Sequence, residues 1–150
     1  MKVAQNRPKR IRISVGFSIL NVLVLIGLCG LFAGCASDDD KKASHFNQGL
    51  EYFQEGNYKA AEIEFKNAIQ LDPKFLEAHL KLGETYVKLN NPQGAYSTYN
   101  TVVKIDPDNI EALVKLASIN MVGRQIEKSR EQIDVVLGKE PENIDALYLK

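Results

Sequence analysis

Three acid-proline pairs, Asp72-Pro73, Asp106-Pro107 and Glu140-Pro141, recur at a spacing of 34 residues. A fixed period of that length marks a chain built from copies of one supersecondary unit, and it restricts the fold before any local propensity is consulted. The register also holds inside the unit. Gly49, Gly83 and Ala117 share one slot, Tyr52, Tyr86 and Asn120 a second, and Phe65, Tyr99 and Ile133 a third. Ala61, Ala95 and Ser129 share a fourth, ahead of the prolines Pro73, Pro107 and Pro141.

Each unit reads as two helices. In the first, about residues 44–73, one helix runs from Ser44 to Gln54, and Gly49 lets the partner helix approach while Tyr52 fills the space one turn on. Glu55-Gly56-Asn57 makes the reversal. The second helix, Tyr58 to Leu71, carries Ala61, Phe65, Ala68 and Ile69 on one stripe, with polar residues around the rest. Pro73 ends it. The second unit, about 76–107, repeats the plan with Asn90-Asn91-Pro92 as its turn. The third, about 110–141, replaces Gly by Ala117, Tyr by Asn120 and Ala by Ser129, which predicts looser packing or adaptation to a neighbour. A fourth begins at residues 143–150, where the sequence stops within a first helix. An array normally closes with a polar-faced helix, so the expectation is a fragment of a longer array, with an apolar edge at Val136, Leu137, Leu147 and Leu149.

The slots match a known pattern, W-x2-L-G-x2-Y, then A-x3-F, then P. It stands here as His45-x2-Gln48-Gly49-x2-Tyr52, Ala61-x3-Phe65, Pro73, and again as His79-x2-Leu82-Gly83-x2-Tyr86, Ala95-x3-Tyr99, Pro107. Over about two thirds of its length the chain resembles the tetratricopeptide (TPR) family. The resemblance implies an all-α solenoid of helical hairpins, about three repeats plus the start of a fourth. It also implies a concave groove, lined by first helices, that receives an extended peptide or helix of a protein partner. Transferred here, the groove residues are Phe46, Leu50 and Phe53, then Leu80, Glu84, Val87 and Lys88, then Val114, Ser118 and Met121. An equal alternative has Phe46, Leu80 and Val114 packing against their own second helices. The family's carboxylate clamp uses Lys and Asn on this face, where this chain has Phe46 with Leu50 and Leu80 with Glu84. An apolar, partly acidic groove favours a hydrophobic or amphipathic segment instead.

Ahead of the repeats, a basic start is followed by an apolar run from Ile13 to Phe32, then by Leu31-Phe32-Ala33-Gly34-Cys35. Small residues before a cut suit a signal peptidase. With Cys35 immediately after, the stretch resembles the lipobox of bacterial lipoproteins, apart from Phe32 in the slot where Leu is commonest. That implies a signal peptide at residues 1–34, a hydrophobic signal helix ahead of the array, and lipidation of Cys35, with acyl chains anchoring the protein on the membrane. The alternative is an uncleaved signal anchor, since about 20 apolar residues can span a bilayer. In both cases the repeats face the periplasm. Residues 35–43 read as an acidic tether whose Asp38, Asp39 and Asp40 are solvated and hold no metal. Ala36, rather than Asp, after the lipidated cysteine implies the outer membrane in the sorting scheme of such lipoproteins.

Five of the 19 basic residues (Lys2, Arg7, Lys9, Arg10 and Arg12) precede the first acid, Asp38, so residues 35–150 carry 14 basic against 19 acidic side chains. A net charge of −5 there is a poor fit to nucleic acid. The sequence contains no G-x-S-x-G, H-E-x-x-H, phosphate loop or cysteine cluster, and Cys29 reads as part of the apolar run. His45 and His79 occupy the large-residue slot of their helices and read as structural. The expectation is a non-enzyme with no cofactor and no metal. Behind a lipoprotein signal, the segment Tyr58 to Pro73 resembles TPR lipoproteins that accompany exosortase and exopolysaccharide systems, and less specifically those of pilus or secretin assembly. The implied role is a membrane-anchored scaffold for envelope assembly, secretion or polysaccharide export. The alternatives are an inner-membrane anchor with a TPR oligomerisation module, or the N-terminal part of a longer protein with a further domain.

Overall fold

The computed structural model describes residues 37–150, and the signal segment, Cys29 and Cys35 lie outside them. The described residues form seven α-helices and no strand: α1 Asp38–Gln54, α2 Tyr58–Leu71, α3 Leu76–Lys88, α4 Pro92–Ile105, α5 Ile110–Val122, α6 Ile126–Lys139 and α7 Ile144–Leu149. Consecutive helices pack on each other, α1 with α2, α3 with α4 and α5 with α6, and each hairpin packs on the next. None of these helices is long and apolar enough to cross a bilayer.

The punctuation is chemical. Asp72, Asp106 and Glu140 each precede a proline, whose ring disfavours helical backbone at the residue before it. All three accordingly leave the helix with φ between −138° and −123°. Asp72 Oδ1 then accepts from the Lys74 amide at 3.0 Å, and Asp106 Oδ1 from the Asp108 amide at 3.2 Å, which fixes the turn. Asn109 and Asn143 restart the chain by capping α5 and α7 through the amides of Ala112 and Ala146. Phe75 holds the same slot before α3 and makes no cap bond. It packs instead on Phe46, with ring centroids 4.9 Å apart and planes tilted by 52°, exchanging a cap for packing between repeats.

Inside each hairpin the left-handed position recurs as Gly56 (φ 77°), Asn90 (φ 52°) and Arg124 (φ 57°). Asn57 and Asn91 then cap α2 and α4, whereas Gln125 leaves α6 without a side-chain cap. Arginine is poorly suited to this backbone, because its Cβ crowds the following carbonyl. Arg124→Gly is therefore expected to stabilise the fold by about 1 kcal/mol, read as a higher midpoint in urea denaturation.

One boundary departs from expectation. The first helix starts at Asp38 and not Ser44, so most of the acidic run expected as a tether is helical. Ser37 Oγ accepts from the Asp40 amide while Asp40 Oδ2 accepts from the Ser37 amide, both at 3.1 Å, a reciprocal cap. Three aspartates in the first turn also meet the positive end of the helix. Lys42 then bridges Asp39 at 3.0 Å and Asp72 at 3.1 Å, and lies 5.4 Å from the centre of the Phe75 ring.

The core is a row of three clusters, one per hairpin junction: Ala61, Phe65 and Leu82; then Ala95, Tyr99, Val102, Ala112 and Leu116; then Leu113, Ala117, Ile133, Val136 and Ala146. Two buried slots in it escaped the sequence reading as repeats, Ala78/Ala112/Ala146 and Ala68/Val102/Val136, all fully buried. Their signal was available in the same 34-residue spacing, but small residues carry little amphipathic contrast.

The glycine slot shows why the repeat is written as it is. A Cβ at Gly49 would lie 2.6 Å from Phe65 Cε1, and one at Gly83 would lie 2.6 Å from Tyr99 Cε1. In the third hairpin Ala117 brings that Cβ, and the aromatic ring opposite is replaced by the slimmer Ile133. Ser129 Oγ donates to Ala117 O at 2.9 Å, and Asn120, buried in the tyrosine slot, donates from Nδ2 to Gln132 Oε1 at 2.9 Å. The degenerate repeat is thus adapted, not loosened: its aromatic contacts are exchanged for a smaller core and two interhelical hydrogen bonds. At the C-terminal end Val136, expected at an apolar edge, is buried. The large exposed apolar residues there are Val135, Ile144, Leu147 and Tyr148.

Candidate functional site

The expected groove residues divide into two groups. Phe46, Leu50 and Phe53 on α1 pack against the cluster of Ala61, Phe65 and Leu82, and Phe46 and Phe53 also meet the rings of Phe75 and Tyr58. Leu80 packs on the second cluster and Val114 on the third. These five are at least half committed to the core, because a first helix must cover its own hairpin before it can offer a surface. Glu84 is engaged by Lys81 at 2.9 Å. The remaining residues, Val87, Lys88, Ser118 and Met121, lie toward the hairpin-turn ends of α3 and α5.

Val87 and Ser118 meet in one feature. Together with the α3–α4 turn at Asn90-Asn91-Pro92 and with Lys115, Ile119 and Val122 of α5, they line a cleft of about 500 Å³ whose wall includes Tyr99. Val87 is 52% exposed and Val122 85%, high values for aliphatic side chains beside a cavity. Met121 lines a separate, smaller hollow with Ile126, Arg130 and Leu149. The sequence reading missed Ile119, Val122 and Tyr99 as lining residues; Tyr99 belongs to a second helix, and its ring packs against Gly83.

Tyr99 is fully buried, yet its Oη has no hydrogen-bond partner among the described residues. Burial, with the carboxylates of Glu84 and Glu111 nearby, pushes its hydroxyl well above the ordinary phenol range, so it remains a protonated donor. Phe65 fills the same slot in the first hairpin without a hydroxyl. Tyr99→Phe is therefore expected to stabilise the chain by about 1 kcal/mol, because it removes an unsatisfied buried polar group, and thermal unfolding measures it.

The histidines are engaged in the scaffold. His45 Nδ1 donates to Glu64 Oε2 at 2.6 Å, joining α1 to α2, and buried His79 donates from Nε2 to Pro73 O at 3.0 Å. Among the described residues no three His, Cys, Asp or Glu side chains are grouped to hold a metal. Hydrogen bonds from Lys42 and from the Lys74 amide hold Asp72 below its ordinary carboxylate range, and Lys66 does the same for Glu62. A depressed folded-state value contributes stability that is present at neutral pH and is lost as the pH falls through it. Acid titration followed by circular dichroism is therefore expected to show a falling thermal midpoint below about pH 4, the unperturbed carboxylate region.

Comparisons with known proteins agree with this architecture. Residues 49–90 match the family model described as TPR repeat, and residues 76–109 the one described as tetratricopeptide repeat. Among solved structures, the first TPR of Spaghetti (RPAP3), bound to the HSP90 peptide SRMEEVD, is similar with a TM-score of 0.69 at 22% identity. That match covers 77% of this chain and 91% of the other. The second TPR domain of human RPAP3, in complex with the HSP70 peptide SGPTIEEVD, also gives 0.69 at 18% identity, over 75% and 94% of the two chains. A crystal structure of MamA protein gives 0.69 at 23% identity, over 73% of this chain and 60% of that one. A search of curated proteins found no match. Residues 49–109 therefore match tetratricopeptide-repeat models, and the described residues pack as a TPR-type solenoid of helical hairpins.

Proposed function

We propose that this protein is a non-catalytic, lipid-anchored scaffold on the periplasmic side of a bacterial envelope. Its first-helix face holds a protein partner in envelope assembly, secretion or polysaccharide export. The observation that carries the binding half is the cleft between α3 and α5, where Val87 and Val122 stand exposed beside an apolar cavity. Of the expected groove residues, Phe46, Leu50, Phe53, Leu80 and Val114 pack on the core, which leaves Val87 exposed on this face. Similar TPR domains of RPAP3 were solved with HSP90 and HSP70 peptides in place, which supports the use of such a fold for a peptide segment. The anchoring half rests on the sequence Leu31-Phe32-Ala33-Gly34-Cys35 behind a basic and apolar leader.

Lipidation gives the sharper test. Radiolabelled palmitate should enter the wild-type chain and be absent from Cys35→Ser, with export retained. The 20-residue apolar run Ile13 to Phe32 supports the competing reading, an uncleaved inner-membrane anchor. Intact-mass measurement of the purified protein separates the two, since only the lipoprotein loses residues 1–34. A full-length mass without added acyl groups would refute lipidation.

A further inference from the structure

We propose that α1 takes the place of a tether: only Ala36 and Ser37 separate it from the membrane attachment at Cys35, and a latch through Lys42 keeps its start folded, so the first hairpin is held at the headgroup surface. This rests on the anchoring half of the proposed function. It holds for a lipid anchor or an uncleaved span, since Cys35 and Phe32 both lie just ahead of Ser37.

Reach is the first argument. Residues 35–43, if free, would let the array stand off by up to about 30 Å at the 3.3–3.6 Å per residue of extended chain. The link from Cys35 to Ser37 spans about 7 Å at most. Residues 38–43 belong to α1 and follow the helical rise of about 1.5 Å each. An array on so short a link cannot withdraw from the surface. With 17 residues α1 adds roughly 25 Å, so a partner held by the first hairpin is met within about 35 Å of the anchor.

The second argument is how the start of α1 is fastened. Ser37 to Lys41 are exposed, so polar contacts and not apolar burial hold this turn. Ser37 and Asp40 cap each other, and Ser37 Oγ also donates to Asp40 Oδ2 at 2.9 Å. Lys41 pairs with Asp38 at 3.1 Å. Lys42 reaches further, since Asp72, which it binds at 3.1 Å, lies in the loop between α2 and α3. The membrane end of α1 is thereby tied to the junction of the first two hairpins. The repeat itself does not require this lysine. One and two periods on, its slot holds Leu76 and Ile110, which pack on the second and third core clusters.

The test uses the full-length chain, isolated from cell membranes and reconstituted in nanodiscs. A donor dye on an unnatural amino acid at exposed Glu51 reports energy transfer to acceptor-labelled headgroups. The wild type should give one narrow distance distribution. Inserting about 12 Gly-Ser residues between Ala36 and Ser37 should lengthen the mean by roughly 10–20 Å, from the dimensions of a flexible linker of that length. Combining Ser37→Ala, Asp40→Ala and Lys42→Ala should broaden the distribution toward that of the insertion. The same variant should lose hydrogen-exchange protection at the amides of residues 41–43 while α3 to α6 keep theirs. A wild-type distribution as broad as that of the insertion, or a triple variant that matches the wild type, overturns the inference and leaves the anchoring reading standing. Recovery of the full-length chain from the soluble fraction alone overturns the anchoring reading itself.

Discussion

Phe65→Ala is expected to lower the unfolding free energy by roughly 3–5 kcal/mol, the largest loss from a single substitution in this chain. Phe65 is fully buried, sits 5.8 Å ring to ring from Phe46, and fills the space opened by Gly49. The residues around it, Phe46, Leu50, Phe53 and Leu82, come from α1 and α3, so one cavity loosens both the first hairpin and its junction with the second. In a repeat array each hairpin is stabilised mainly by its neighbours, and the damage should stay local before it becomes global. Hydrogen exchange should show α1 and α2 losing protection first, with α5 and α6 little changed. Uniform loss across all helices would mean that the array is a single cooperative block.

The second prediction concerns the glycine slot. Gly83→Ala gains about 1 kcal/mol in helix propensity, but its Cβ meets the Tyr99 ring at 2.6 Å. Overpacking of a rigid, fully buried ring should dominate, for a net loss of roughly 1–3 kcal/mol. Tyr99→Ile alone leaves a cavity and should cost about 2–4 kcal/mol. Together the two substitutions write the pairing of Ala117 with Ile133 into the second hairpin. The double variant should be less damaged than the sum of the singles by at least about 1 kcal/mol. Simple additivity in chemical denaturation would show that the two slots do not touch as described.

That pairing also shows how much of the fold was legible. The 34-residue spacing located the hairpins and marked Gly49 and Gly83 as points of close approach, but it put Tyr52 in the space beside Gly49, where the structure has Phe65. The turns at Gly56-Asn57 and Asn90-Asn91 were readable because left-handed backbone and capping demand particular side chains. The start of α1 was not read, because Asp38-Asp39-Asp40 was weighed as charge while the reciprocal cap with Ser37 depends on geometry. The groove was legible only as a face. Periodicity places Phe46, Leu50 and Val87 on the same side of their helices, but it cannot tell which of them the neighbouring hairpin has already covered. Tyr99 was assigned to the core on its slot alone, and only the packing shows that its hydroxyl is buried there without a partner.

The central claim is that a protein partner is held on the first-helix face. It is tested most directly by placing a photo-cross-linking amino acid at Val122 beside the cleft, and at exposed Lys104 on the second helix α4, in intact cells. The account predicts one discrete cross-linked species from Val122 and none from Lys104. Cross-links of equal strength from both positions, or from Lys104 alone, would contradict it.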